Sequence, residues 1–155
     1  MKKILVLGCT GSIGTSTLNI VRSMPEDFSI CGLTAHNNEK SLNFLSNEFS
    51  CDSVLTSKDG IEAIEALIQK TNPDIVVNGI AGAAGLLPSK ITVECGKKLA
   101  LANKETVVMA WPLIKELAFN KDAEIIPVDS EHSAIFSLIN QVGRNNIKNV
   151  IITAS

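Results

Sequence analysis

The stretch Ile4-Leu5-Val6-Leu7, followed by Gly8-Cys9-Thr10-Gly11-Ser12-Ile13-Gly14, decides how the rest of this chain is read. Four successive apolar residues suit a strand covered on both faces. Glycines at every third position then close it, and an apolar-striped segment, Ser12–Ser23, opens at once. Glycine permits the tight turn and lets backbone approach a pyrophosphate, while a helix start offers free N–H groups and a positive dipole end. Thr10 and Ser12 add hydroxyl donors. The spacing is GxxGxxG, not the GxGxxG of the dinucleotide fingerprint. The glycines therefore read either as a nucleotide loop or as a tight strand-to-helix turn, and their place after the first strand favours the nucleotide.

Moving outward, apolar runs of strand length recur at Ser29–Leu33, Ile75–Val77, Leu99–Ala102, Ile125–Val128 and Val150–Ile152, with Ser53–Leu55 as a further short candidate. Helical segments lie between them. Ser12–Ser23 ends before Pro25, and Asp59–Lys70 puts Ile61, Ile64, Leu67 and Ile68 on one face. Glu105–Ala118 and Ser133–Gln141 follow later strands. Pro112 falls inside the third of these helices, which predicts a kink or two helices there. Six or seven strand–helix repeats predict an α/β fold, a doubly wound parallel sheet of Rossmann-like type. In such sheets ligands bind outside the carboxyl ends of the strands, so the residues just after each apolar run carry the chemistry.

Composition narrows the classes. The chain has 155 residues, 45% hydrophobic and 19% charged, with Lys+Arg 14 against Asp+Glu 16 and a net charge of −2. One domain with a sizeable core is the natural expectation. Neither disorder nor electrostatic binding of nucleic acid is favoured, and no apolar run approaches the ~20 residues of a membrane span. Met1-Lys2-Lys3 before Ile4–Leu7 and Gly8-Cys9 imitates a lipoprotein signal. Its apolar stretch is only four residues, below the roughly 7–15 of an export signal. Cys9, Cys31, Cys51 and Cys95 are scattered without a CxxC pair. Free thiols in a reducing cytoplasm are the expected state.

The strand ends are polar. An NAD site usually has Asp or Glu at the end of the second strand to bond the ribose 2′-OH. Here Leu33-Thr34-Ala35-His36-Asn37-Asn38 has no acid until Glu39, and Lys40 is nearby. The missing carboxylate favours NADP, with His36, Asn37 and Asn38 as donors to a 2′-phosphate; an ordinary polar turn is the alternative. Asn78-Gly79-Ile80-Ala81-Gly82-Ala83-Ala84-Gly85 is nearly all tiny side chains, suited to a flat ligand or to close helix packing. Lys104 in Asn103-Lys104-Glu105 stands at a helix start, where a cation is disfavoured. That placement suggests an anionic or polar ligand, unless Glu105 compensates it in solvent. Asp129-Ser130-Glu131-His132 puts two carboxylates at i and i+2, which on extended backbone face one side and suit Mg²⁺ or Mn²⁺. Alternatively, Asp129 caps a helix and Glu131 lies in its first turn. His132 by itself reads as a structural or surface residue.

Taken in order, Gly8-Cys9-Thr10-Gly11-Ser12-Ile13-Gly14, Gly82-Ala83-Ala84-Gly85-Leu86-Leu87-Pro88, Leu101-Ala102-Asn103-Lys104-Glu105 and Pro127-Val128-Asp129-Ser130-Glu131-His132 resemble the 1-deoxy-D-xylulose 5-phosphate reductoisomerase family across the whole chain. The resemblance implies a non-mevalonate isoprenoid enzyme. Such an enzyme isomerises 1-deoxy-D-xylulose 5-phosphate, a phosphosugar, and reduces the aldehyde with NADPH to 2-C-methyl-D-erythritol 4-phosphate. It implies that Thr10, Gly11, Ser12 and Ile13 hold the NADPH phosphates and that His36, Asn37 and Asn38 lie near the adenosine ribose. Asn103 and Glu105 would contact cofactor, and Lys104 substrate. Asp129 and Glu131 would bind Mg²⁺ or Mn²⁺, with Ser130, Glu131 and Ser155 reaching substrate. Lys104, Asp129 and Glu131 are thus the expected catalytic set. Family members often carry a small and a basic residue where this chain has His36 and Asn37.

The same resemblance implies residues 1–149 as the NADPH-binding domain and 150–155 as the start of a catalytic domain. The chain is then expected to be a fragment of a larger multidomain enzyme, homodimeric when whole. Its metal site would be incomplete, and alone it would bind cofactor without turnover. Two other readings stand beside it. One is an NADP-binding sensor module. The other is a different NADP-dependent oxidoreductase such as an aspartate-semialdehyde dehydrogenase, which needs a nucleophilic Cys in a polar strand-end loop.

Overall fold

The structure, a computed structural model, describes residues 1–151. Among them six strands form one parallel sheet: β1 (Lys2–Leu7), β2 (Phe28–Ala35), β3 (Asp52–Leu55), β4 (Ile75–Asn78), β5 (Lys98–Leu101) and β6 (Ile125–Pro127). Their spatial order is β3-β2-β1-β4-β5-β6, so the winding reverses between β1 and β4. This is the doubly wound order, and the crevice at its reversal is where ligands bind.

The helices are α1 (Ser12–Ser23), α2 (Glu39–Phe49), α3 (Thr56–Asp59), α4 (Ala63–Thr71), α5 (Leu86–Glu94), α6 (Lys104–Asn120) and α7 (Ser130–Val142). Strand periodicity divides the core. Ile4 and Val6 of β1 point to one face, where they meet Leu18 and Val21 of α1 and Leu42 of α2. Leu5 and Leu7 point to the other, against Ile64, Leu67 and Ile68 of α4 and Ile91 of α5. A third cluster joins Leu99 and Leu101 to Val93, Ile114 and Ala118 under α5 and α6. Pairing of β1 with β2 shifts by one residue between Ile4 and Leu5, leaving Cys31 as the extra residue. Gly32 then faces Leu5; a Cβ on it would come within 3.1 Å of Leu5 Cδ1.

The helix expected over Asp59–Lys70 forms as α4 but begins only at Ala63, while Asp59 ends the short α3. Gly60, at φ +81°, breaks the chain between α3 and α4, and Asp59 Oδ2 accepts the Leu55 amide at 2.8 Å. Helix α6 kinks at Ala110 (φ −147°), two residues before Pro112, as a proline without N–H demands. Val150 and Ile151 form no strand; the rest of the expected Val150–Ile152 strand, and Ser155, lie outside the described residues. Helix α7 follows β6 but has no buried residue. Among the described residues no helix is long and apolar enough to cross a membrane.

Candidate functional site

The glycine loop is held from beneath. Gly8 adopts φ +77°, and its amide donates to the Thr34 carbonyl and hydroxyl, both at 3.1 Å. The Cys9 amide reaches the same carbonyl at 2.8 Å. Thr34 is 1% exposed at the end of β2, an anchor that sequence spacing did not single out. Gly14 has no space for a side chain, because a Cβ there would lie 2.3 Å from the Gly8 oxygen. Its glycine therefore serves close packing of α1 on the loop. Gly11 is the N-cap of α1 and supplies no side-chain cap, so the opening amides of α1 are left to solvent or a ligand. A cavity of about 660 Å³ lies beside them, running from Gly8, Thr10 and Gly11 past Thr34 and His36 to Gly79, Ala83 and Ala84. It spans β2, β1 and β4, across the winding reversal.

At its β2 end the three expected polar residues differ. Asn38 Oδ1 accepts the Ser41 amide at 3.1 Å and so caps α2. The His36 ring nitrogen Nδ1 is 3.1 Å from Thr56 Oγ1, which leaves its other nitrogen free. Asn37 is exposed. No carboxylate stands at the strand end, and the first acid, Glu39, lies 3.9 Å from Lys58 Nζ.

A second cavity, about 460 Å³, opens at the ends of β5 and β6 between α6 and α7. Its walls are Val107, Trp111, Ile125, Pro127 and Phe136, and its polar rim is Asn103, Lys104, Asp129 and His132. Lys104 is the first residue of α6, and its Nζ lies 3.1 Å from Asp129 Oδ1. The hydrogen bond to Asp129, aided by the charges of Glu131 and Glu105, raises the Lys104 pKa above the usual lysine range. Lys104 is therefore balanced by Asp129 across the cavity. Glu105 Oε2 instead lies 3.2 Å from Asn103 Nδ2.

Asp129 holds the N-cap position of α7 yet makes no side-chain cap bond. Its Oδ2 is buried and accepts no hydrogen bond, although His132 Nδ1 comes within 2.9 Å without the alignment of one. Glu131 lies inside the first turn of α7, so the two carboxylates do not share the extended backbone that their spacing suggested. Ser130 Oγ donates to Glu131 Oε2 at 2.8 Å. That bond, the Glu131 amide and Lys104 hold the Glu131 carboxyl below its ordinary range. Among the described residues no three His, Cys, Asp or Glu side chains cluster as a complete metal site. An orphaned buried carboxylate oxygen beside a second carboxylate is the hard, anionic donor set that Mg²⁺ or Mn²⁺ takes, with water completing the shell.

None of the four thiols is set up as a nucleophile. Burial pushes each upward, Cys9 to about 11 and Cys51 to about 12.

The sheet order, the uncapped helix at its reversal and the small-residue wall opposite define an α/β domain of the doubly wound, Rossmann-like class. Family models sharpen this: one described as 1-deoxy-D-xylulose 5-phosphate reductoisomerase matches residues 4–60 and 55–111, and that of the family's C-terminal domain matches 125–155. The chain belongs to the 1-deoxy-D-xylulose 5-phosphate reductoisomerase family.

The reductoisomerase of Treponema denticola is 44% identical over 163 residues, covering 99% of this chain and 43% of that relative. Two solved structures align with 88% of the chain. The Zymomonas mobilis reductoisomerase in complex with NADPH gives a TM-score of 0.78 at 29% identity and is covered over 41% of its length. A DOX-P reductoisomerase in complex with NADPH, fosmidomycin and magnesium gives 0.80 at 33%, covered over 38%. The chain thus spans less than half the length of the relatives it matches.

Proposed function

We infer that this chain is the nucleotide-binding part of a reductoisomerase that converts 1-deoxy-D-xylulose 5-phosphate to 2-C-methyl-D-erythritol 4-phosphate with NADPH and Mg²⁺ or Mn²⁺. The observation that carries the reading is the uncapped start of α1 beside a cavity that crosses the winding reversal. Thr10, Gly11, Ser12 and Ile13 would receive the cofactor phosphates. His36 and Asn37 would lie by the adenosine ribose, with Asn38 contributing from its capping position. Glu105 would meet cofactor from the start of α6. Asn103 would do so through the backbone it shapes, its own amide being engaged. NADPH supplies the hydride, and the divalent ion supplies Lewis-acid polarisation of the substrate oxygens. Lys104, kept protonated by Asp129, would hold an anionic or polar substrate oxygen at the cavity rim. Asp129 and Glu131 would hold the metal, Ser130 would fix the Glu131 carboxylate, and Ser155 would reach the substrate phosphate.

Residues 1–149 would form the NADPH-binding domain and 150–155 the start of a catalytic domain, in a cytoplasmic enzyme that is a homodimer when whole. The two carboxylates are only half of a metal site. The 155-residue chain is accordingly expected to bind NADPH without turnover.

Fluorescence titration of the 155-residue chain with NADPH and with NADH tests the reading. Tighter binding of NADPH is expected, because no carboxylate repels a 2′-phosphate at the end of β2. Equal affinities, or tighter NADH, would overturn it. In a full-length relative, replacing the residues equivalent to Lys104 and Glu131 by Ala should each cut turnover sharply and leave NADPH affinity nearly unchanged. Near-normal turnover in the Glu131 variant would return that residue to a first-turn helix charge.

A further inference from the structure

The segment Gly79–Gly85 is built almost wholly from glycine and alanine, so no side chain of its own can brace it. Two buried asparagines brace it instead. Asn78, the last residue of β4 and 0% exposed, donates from Nδ2 to the Gly85 carbonyl at 2.8 Å and to Ser89 Oγ at 2.7 Å. Its Oδ1 accepts the Ile80 amide at 3.1 Å. Asn103, 2% exposed, sends its two amide protons to the carbonyls of Ile80 and Gly82, both at 2.8 Å. Thr106 locks Asn103 in turn, its amide and hydroxyl donating to Asn103 Oδ1 at 2.7 and 2.5 Å. Ser89 Oγ donates to Gly85 O at 2.9 Å and lies 3.3 Å from Thr106 Oγ1, closing the chain of contacts. Gly85 is glycine because a Cβ would come within 2.6 Å of Asn103 Nδ2.

This network is the partition between the two cavities. Gly79, Ile80 and Ala83 line the one beside the glycine loop, whereas Asn103 and Lys104 line the one beneath α6 and α7. We propose that Asn103, locked by Thr106, and Asn78, held with Ser89 on the Gly85 carbonyl, are positioning residues that fix the Gly79–Gly85 wall against the start of α6, so that the nicotinamide half of the cofactor and Lys104 are held in one register. The proposal rests on the nucleotide reading above. In a doubly wound sheet the dinucleotide lies across the reversal, with its adenosine ribose at the end of β2. The β4 side, where this wall stands, therefore receives the other half. Buried polar networks of this kind are fully satisfied or costly, so removing one hydroxyl loosens chiefly the Gly82–Gly85 end of the wall, the end away from the contacts of Gly79 and Ile80 with Gly8 and Ile13 of the glycine loop.

The test compares two nucleotides on the 155-residue chain: NADPH, and 2′-phospho-ADP-ribose, which keeps the adenosine and both bridging phosphates but lacks nicotinamide. Thr106→Val removes the hydroxyl at constant shape, and Thr106→Ser restores it; Ser89→Ala is the milder second variant if Thr106→Val does not fold. NADPH should bind several-fold more weakly in Thr106→Val, and less so in Ser89→Ala, with roughly tenfold as the upper bound, because binding must re-order a wall that has lost one internal hydrogen bond. The nicotinamide-free nucleotide should bind within about twofold of the unaltered chain, the scatter expected where no contact is lost. Thr106→Ser should recover NADPH affinity. Equal weakening of both nucleotides, or no weakening of either, would overturn the positioning role while leaving the nucleotide reading intact. An unaltered chain that binds neither nucleotide would overturn the nucleotide reading, and the positioning role with it.

Discussion

Gly14 illustrates how a residue can be legible in sequence for one reason and required for another. Its spacing marks a phosphate loop, but the structure shows the Gly8 oxygen and Cys9 backbone filling the place of any Cβ, at 2.3 to 2.7 Å. Gly14→Val should therefore first destabilise the fold, by about 1–3 kcal/mol or more for overpacking, and weaken NADPH through a displaced loop. A thermal melt beside a cofactor titration checks this. Unchanged melting and unchanged affinity together would remove the loop from the cofactor site. Cys51 gives a second residue-scale expectation. Burial, with Cys31 and Asp52 nearby, raises its pKa from 9.0 to about 12. The unfolded chain then loses the thiol proton first, so this contribution to stability is intact below pH 9 and fades as pH rises towards 12. Denaturant melts at pH 8 and 10 should show a loss that Cys51→Ala reduces. An identical fall in that variant would locate the effect elsewhere.

Among the elements, Asn38 separates two roles that the sequence left joined. As the cap of α2 it accepts the Ser41 amide, so Asn38→Ala should cost about 1 kcal/mol while leaving the ratio of NADPH to NADH affinity unchanged. A ratio that collapses towards one would give its side chain to the 2′-phosphate after all. Most strands were readable because both faces of the sheet are covered, which favours successive apolar residues, as in Ile4–Leu7 and Ile75–Val77. Helix α1 was readable to the residue, since Pro25 and the glycine loop punctuate both ends. Helix α2 escaped notice because its apolar stripe, Leu42, Leu45 and Phe49, is thin among polar residues. Helix α5 escaped for the opposite reason: Pro88, Ser89, Ile91, Thr92 and Val93 are all buried, which erases the one-sided pattern a surface helix shows. At the site, the strand-end clusters named Lys104 and Asp129, whose pairing needs the fold to bring β5 and β6 together. Thr34 and Asn78 stood inside the strand-end strings without a role of their own, and Ser89 and Thr106 gave no signal, because a buried hydrogen-bonding residue has no spacing rule.

Across the whole molecule, stability is unevenly spread. Leu5, Val6 and Leu7 of β1 are fully buried at the centre of the sheet, between helices on both faces. Helix α7 stands at the far edge beyond β6 with no buried residue, and Leu138 and Val142 on it remain 57% and 48% exposed. Helix α6 adds Val108, Leu113 and Phe119, at 86%, 55% and 88%, to the same apolar exposure. An element with few buried contacts opens at low free energy, whereas a central strand opens only with the whole domain. Leu5→Ala should therefore lower global stability by about 2–5 kcal/mol, as expected for a buried leucine that leaves a cavity. Leu138→Ala should stay within roughly 0.5 kcal/mol of the unaltered chain. Native-state hydrogen exchange reads the same gradient directly. Amides of α7 should exchange well before those of β1 and β4, and NADPH should slow exchange in the glycine loop and the Gly79–Gly85 segment more than in α7. Protection in α7 equal to that of β1 would mean that the helix is bound into the core more firmly than its exposure allows, and the cavity between α6 and α7 would then have two rigid walls.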